Sequence, residues 1–314
     1  MPKADRRLIF IASYGRSGST LLDRLLGGSP AAVSVGELCH LWGRAGLQDQ
    51  LCGCGAPFSA CPFWSSVVTE LFPGDRRAAF QEVLAWQRAV NRQVHLGPLL
   101  APALRPKPFA RTLASYLEIL DRLLAAIVRQ AGRPVVVDSS KNPIQAVTLR
   151  QVPALPVHLV HLVRDSRAVA YSWQRRRLRP EIHWEKSFMP VWGPLKSSLQ
   201  WLYVNAIFLR LGPRMASRHL VRYEDLAARP QATVAGLAQA LSIPEPVVFT
   251  GPDRCRFGVD HTVSGNPARF QQGEVVIRPD EDWRTGLAPR HRLLVLLLTW
   301  PYLFRFGYLG GRQG

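Results

Sequence analysis

The segment that most limits what this chain can become is "LIFIASYGRSGSTLLDRLLGG", Leu8 to Gly28. An unbroken apolar run of strand length passes through a turn of Gly and Ser into leucines at helical spacing, the pattern of a buried strand feeding a helix. Three later runs share the strand character: "PVVVDSS" from Pro134, "VHLVHLV" from Val157 and "HLVRYE" from His219. They are rich in Val, Ile and Leu without polar alternation, as strands covered on both faces are. Helical patterns separate them, so the expected fold is α/β: a P-loop-type doubly wound parallel sheet flanked by helices. A stretch at about 51–133 holds several helix-like segments, among them "SYLEILDRLLAAIVRQAG", which closes on Gly132. It reads as a helical insertion packed over the sheet and shaping a pocket. Neither an internal repeat nor a low-complexity linker divides the chain, and residues 1–314 are expected to form a single domain.

No run reaches the roughly 18 apolar residues of a membrane span. The longest, "LLVLLLTWPYLF" from Leu293, is interrupted by Pro301 and reads as a buried C-terminal helix. The first strand begins almost at once, leaving no room for a signal peptide, so a cytoplasmic location is expected. The formal net charge is +18, and thirty-five of the forty basic residues are Arg, scattered except for "QRRRLR" at Gln174 to Arg179. No nucleic-acid-binding motif accompanies that charge. Most of these arginines read as a solvated surface and a few as ligands for a small anion, since the guanidinium fork fits phosphate. The cysteines are Cys39, Cys52, Cys54, Cys61 and Cys255, an odd count that argues against a disulfide framework. "LCGCGAPFSACPFW" invites a zinc reading, with Cys39 or His40 as fourth ligand. CxC followed by six residues and Cys matches the usual CxxC pairs poorly, however. A tight surface loop anchored by Phe63 and Trp64 is expected there, with no metal.

In a doubly wound sheet, ligands bind beyond the carboxyl ends of the strands. Those ends read "SYGRSGST", "DSSKNP", "RDSRAVAYS" and "RYEDL". In the first, Gly15 and Gly18 let the backbone curl, and Ser19 or Thr20 begins a helix whose amides and dipole favour an anion. Arg16 and the hydroxyls of Ser17, Ser19 and Thr20 add donors. The loop lacks the second Gly and the Lys of GxxxxGKS/T. That lack counts against a P-loop kinase or NTPase, which would take Asp138 as its magnesium-binding acid. Read as a GxSxG nucleophile elbow, "GRSGS" would make Ser17 attack, but Ser19 replaces the last Gly. The non-enzymatic alternative is a basic nucleic-acid-binding protein.

Taken together, the segments resemble the sulfotransferases that use 3′-phosphoadenosine 5′-phosphosulfate (PAPS), bacterial members and the tyrosylprotein and carbohydrate types above all. "GRSGST" is similar to their 5′-phosphosulfate loop. "LVRDSRAVAYS" is similar to their 3′-phosphate motif, RDPRAxxxS, with Ser166 in place of Pro; Arg164 and Ser172 keep the family's spacing. "DSSKNP" corresponds to the segment with an active-site Lys, "VRYEDL" to the segment near adenine, and "HTVSGNPARF…RPDEDWRTGL" to the part that closes over the nucleotide. The resemblance runs from Ile9 to about Leu287.

It implies in-line transfer of a sulfuryl group from PAPS to a hydroxyl, with PAPS as co-substrate and no metal required. Gly15 to Thr20 would hold the phosphosulfate, and Arg164 with Ser172 the 3′-phosphate, joined by Arg269 from "GNPARF". Tyr223 would lie near the adenine. Arg16 and Lys141 would stabilise charge on the departing phosphate, the main lever for such a transfer. The acceptor hydroxyl needs a base: Glu37, in "VGELCHLW", matches the family's glutamate, and His40, three residues on, is the second candidate. His158 and His161 lie inside a strand and read as core. The acceptor is expected to be a small molecule, glycan or lipid, lined by the insertion and by aromatic residues from Trp173 to Trp201.

Overall fold

The computed structural model describes residues 6–310. Strand β1 (Arg7–Ala12) leads through the glycine turn into α1 (Ser19–Gly27) and then β2 (Ala32–Gly36). Four helices lie between β2 and the next strand of the sheet: α2 (Pro62–Leu71), α3 (Arg76–Val90), the short α4 (Leu96–Leu100) and the long α5 (Lys107–Ala131), which ends at left-handed Gly132. The sheet resumes with β3 (Val135–Asp138), α6 (Pro143–Leu149), β4 (Val157–Val163), α7 (Ser166–Gln174), α8 (Pro194–Leu211) and β5 (Ser217–Arg222). After α9 (Tyr223–Ala228) and α10 (Pro230–Ala240) come three short strands, β6 (Phe249–Gly251), β7 (Arg254–Phe257) and β8 (Gly273–Val276). Helices α11 (Trp283–Gly286) and α12 (Pro289–Arg305) complete the described chain.

The main sheet has the order β2-β3-β1-β4-β5, all parallel. Alternate residues of β1 serve opposite layers. Leu8, Phe10 and Ala12 pack in one layer with α2, α3, α5 and α8, while Ile9 and Ile11 pack with α1 and α10. Both faces being covered explains why β1, β3 and β4 carry no polar alternation; the edge strand β5 departs from that expectation, its residues being mostly half-buried and Leu220 exposed. The α/β class and the helix-flanked parallel sheet are as expected. His161 is core, its Nε2 2.8 Å from Asn205 Oδ1.

Two features depart from the sequence reading. "AVSVG" forms the edge strand β2, and "FTG", "RCRF" and "GEVV" form a small antiparallel sheet. All are too short and too polar to stand out by pattern. Helix α12 forms despite Pro301, but it is buried on one side only: Leu293, Leu297, Trp300 and Phe304 are exposed. Among the described residues, no helix is long and apolar enough to cross a membrane.

Candidate active site

β1 stops at Ala12, and the chain must turn before α1 begins at Ser19. Gly18 makes the turn: its φ is +90°, and a Cβ there would stand 2.5 Å from the Tyr223 ring. Gly15 meets the opposite wall, where a Cβ would stand 2.8 Å from Trp173. Arg16 between them has φ of 70°, a left-handed conformation that costs a residue with a Cβ about 1–2 kcal/mol. Strain of this kind persists only where its surroundings hold it, commonly at functional sites. Trp173 is itself fixed by stacking on Trp192, with ring centroids 4.0 Å apart.

The turn opens into a cavity of about 380 Å³ at the carboxyl ends of β1, β3 and β4. Gly15, Arg16, Gly18, Ser19, Thr20, Glu37, His40, Lys141, Arg164, Ser172 and Tyr223 all line it. These follow the ends of all five strands of the main sheet, brought together by the sheet order. Ser17 is buried within the turn behind them. Arg269 does not join them. Its guanidinium is buried and donates to the carbonyl oxygens of Thr262 (2.5 Å) and Leu51 (2.6 Å), so it ties two loops together rather than facing the cavity. Trp201 likewise belongs to the core, its Nε1 donating to the Arg164 carbonyl at 3.1 Å.

Glu37 and Lys141 face each other across the ends of β2 and β3. Lys141 Nζ donates to Glu37 Oε1 at 2.5 Å and to the Ser139 carbonyl at 2.9 Å. The partner of both segments is Asp138, wholly buried at the end of β3. Its Oδ1 accepts from Ser140 N–H (2.8 Å), Ser140 Oγ (2.5 Å) and Leu38 N–H (3.4 Å). Asp138 thus locks the residue after Glu37 to the residue before Lys141. It is spent on this bracing and does not line the cavity. Burial raises its pKa to about 6, against the lowering by Ser140 and Leu38.

Burial also disfavours ionised Glu37, but Lys141, His40 and Arg44 together outweigh it and hold the Glu37 pKa below its ordinary value. Glu37 is therefore a carboxylate at neutral pH. His40 Nε2 lies 3.5 Å from Glu37 Oε2. Burial, with Arg44 and Lys141, pushes the His40 pKa down to about 4 against the pull of Glu37, leaving the imidazole neutral.

The cavity wall carries six cationic side chains against three carboxylates, the extra cations being Arg44, Arg177 and Arg179. Arg44 rises from a π-helical turn, Leu41–Leu47, and donates to Ser264 Oγ at 3.1 Å. No period in the sequence marks such a turn, and Arg44 escaped notice; Arg177 and Arg179 belong to the "QRRRLR" run. Burial, assisted by the charge of Arg177, lowers the Arg16 pKa to about 10. Both terminal nitrogens of Arg16, Nε of Arg164 and Oγ of Ser17 are buried without a hydrogen-bond partner among the described residues. An unmade bond at a buried donor costs roughly 1–3 kcal/mol, so the site is built to receive acceptor atoms. Arg164 is held over the Tyr223 ring at 4.3 Å, donates to the Arg16 carbonyl at 3.1 Å and pairs with Asp280 at 3.0 Å.

No protein-family model matches this chain, and no curated protein matches it. Solved structures do. The sulfotransferase domain of the Synechococcus PCC 7002 olefin synthase is 21% identical with a TM-score of 0.50, covering 95% of this chain and 94% of that one. The sulfotransferase domain from the curacin biosynthetic pathway is 19% identical (TM-score 0.48, covering 93% and 96%). Sulfotransferase STF9 from Mycobacterium avium is 15% identical (TM-score 0.44, covering 97% and 77%). With its five-stranded parallel sheet and helices on both faces, this chain has the fold of that olefin synthase sulfotransferase domain.

Proposed function

We propose that the protein is a sulfotransferase that moves the sulfuryl group of PAPS to a hydroxyl of a small-molecule, glycan or lipid acceptor. The observation that carries this reading is one juxtaposition. A carboxylate and an ammonium are paired at 2.5 Å beside a strand-to-helix turn whose Arg16 and Ser17 donors lack partners among the described residues. A base for the acceptor and cations for the leaving group thus share one cavity. The donor supplies an electrophilic sulfur and a phosphate able to leave.

The chain's own groups account for the rest. Glu37 takes the proton of the acceptor hydroxyl. Arg16, Lys141 and the start of α1 stabilise negative charge developing on the departing phosphate oxygen, where preorganised donors act most strongly. Arg164 and Ser172 take the 3′-phosphate. Tyr223 shapes the turn against Gly18 and backs Arg164, and the adenine falls on its side of the cavity. As Lys141 turns from Glu37 to the leaving group, Glu37 loses its strongest opposing cation while its burial persists. Its pKa rises, and the carboxylate becomes a better base when it is needed. No magnesium is required for sulfuryl transfer, because the transferred group carries less charge than a γ-phosphate.

Donor discrimination tests this reading. Wild-type protein should sulfate hydroxyl acceptors from PAPS and use adenosine 5′-phosphosulfate, which lacks the 3′-phosphate, far less well. Charge-assisted hydrogen bonds contribute about 1.5–3 kcal/mol each, so Arg164→Ala should lower kcat/KM for PAPS by roughly 10- to 100-fold. Use of the shorter donor should hardly change. Equal losses with both donors would move Arg164 to the fold or the phosphosulfate. No transfer from PAPS to any member of a broad hydroxyl panel would contradict the activity itself.

A further inference from the structure

The cysteine loop does not behave as a bare surface loop. Cys52 and Cys61 are buried, Cys54 is half-buried, and the three sulfurs converge with Nδ1 of His261, all four atoms lying within 4.8 Å of one another. His261 Nδ1 is 3.2 Å from Cys61 Sγ and 4.0 Å from Cys52 Sγ. Zn–S bonds of about 2.3 Å and Zn–N bonds of about 2.0–2.1 Å at tetrahedral angles place ligand atoms about 3.5–3.8 Å apart. The observed separations bracket that spacing. We infer that Cys52, Cys54, Cys61 and His261 form a structural zinc site.

The surroundings hold these four groups in place from several directions. Gly55 N–H donates to the Cys52 carbonyl at 2.8 Å, and Gly55 has φ of +88°, closing the tight turn that brings Cys54 back beside Cys52. Gly53, between those two cysteines, donates to the Thr262 carbonyl at 2.9 Å; a Cβ there would stand 2.4 Å from Thr262 Oγ1. Only glycine lets the loop approach the His261 segment so closely. Phe63 stacks on the His261 ring at 5.1 Å and 12°, and Trp64 Nε1 donates to the His261 carbonyl at 2.7 Å. The stack and the hydrogen bond hold the His261 segment with its Nδ1 toward the sulfurs.

The charge balance is favourable. Binding Zn²⁺ displaces three thiol protons to solvent and leaves His261 neutral, with the proton on Nε2 and the metal on Nδ1. Zinc with three thiolates carries a net charge of −1. Arg269, bonded to the carbonyls of Leu51 and Thr262, brings its positive charge next to Cys52 and Cys54. Its burial outside the catalytic cavity then has a purpose: it neutralises the site and spans the two loops. Four protein ligands leave no open position, so the metal is structural. It staples the loop before α2 to a segment 200 residues later. Two residues beyond His261, Val263 accepts from Glu37 N–H at 2.7 Å and donates to the Val35 carbonyl at 2.8 Å. The metal would therefore brace the strap that supports Glu37.

Untagged full-length protein, purified with reductant, should contain about one zinc per chain by elemental mass spectrometry. Cys54→Ser and His261→Ala should lose it, Cys255→Ala should keep it, and His261→Cys should restore a four-ligand site and retain it. Should the loss variants fail to fold, wild-type protein stripped by a chelator and given cobalt(II) should show thiolate-to-cobalt charge transfer with tetrahedral d–d bands. Metal-free protein that takes up neither zinc nor cobalt under reducing conditions would overturn the assignment. So would an intrachain disulfide among the three cysteines in freshly purified protein, or zinc retained in full by Cys54→Ser and His261→Ala.

Discussion

Replacing Glu37 by Gln is expected to lower turnover on an aliphatic alcohol by about 10²- to 10⁴-fold, with donor binding preserved. The amide keeps the size of the side chain and an oxygen that accepts from Lys141, but it cannot take a proton. A phenol acceptor, already partly ionised, should lose less. The pH profile adds a signed test. Glu37 must be ionised to act, so kcat/KM should fall as pH drops through its pKa. Lys141, His40 and Arg44 outweigh burial there, so this limb should lie below the ordinary glutamate range. Alcohol sulfation at the wild-type rate in Glu37→Gln would remove Glu37 from the role. The neutral His40, 3.5 Å away, would then be the residue to replace.

Lys141→Ala should lower kcat by about 10²- to 10³-fold, the scale of losing one preorganised donor at a developing anion. Affinity for the donor should change far less, because Arg16, Arg164 and the turn still hold its phosphates. Alanine suits this position no worse than lysine, whose φ is already 60°. With the ammonium gone, burial of Glu37 is opposed by fewer cations, and its pKa must rise. The acid limb of the profile should therefore move to higher pH in the variant. An unchanged kcat would leave Lys141 a bystander. A lowered kcat with an unmoved limb would mean that the ammonium and the carboxylate act separately, contradicting the hand-over between them.

What could be read from the sequence was what lies in contiguous pieces. The runs at Leu8, Val135 and Val157 announced a buried parallel sheet because they are dominated by Val, Ile and Leu without polar alternation, and their ends carried Arg16, Lys141 and Arg164 in short motifs. Glu37 sat at the end of β2, a strand too brief and too polar at Ser34 to recognise, yet its own motif placed it. Groups whose role depends on distant partners were hidden. Asp138 had a role only in the kinase reading, as a magnesium-binding acid, and its actual partners, Leu38 and Ser140, could not be read from the sequence. Arg269 looked like a phosphate ligand, but Leu51 and Thr262 claim it. The spacing of Cys52, Cys54 and Cys61 argued against a metal because it does not follow CxxC, and the sequence offered only Cys39 or His40 as a fourth group; that the fold brings His261 to the three sulfurs could not be read from the chain. The run at Leu293 reads as buried by composition, yet the molecule covers only one side of that helix.

Titration calorimetry with adenosine 3′,5′-bisphosphate in the presence of a metal chelator tests the central claim most directly. It probes the 5′-phosphate turn and the Arg164–Ser172 pocket at once, independently of the acceptor. Saturable one-to-one binding without magnesium, tighter than that of Mg-ATP, is the predicted result. Preference for Mg-ATP, or binding only to oligonucleotides with a steep dependence on salt, would contradict it.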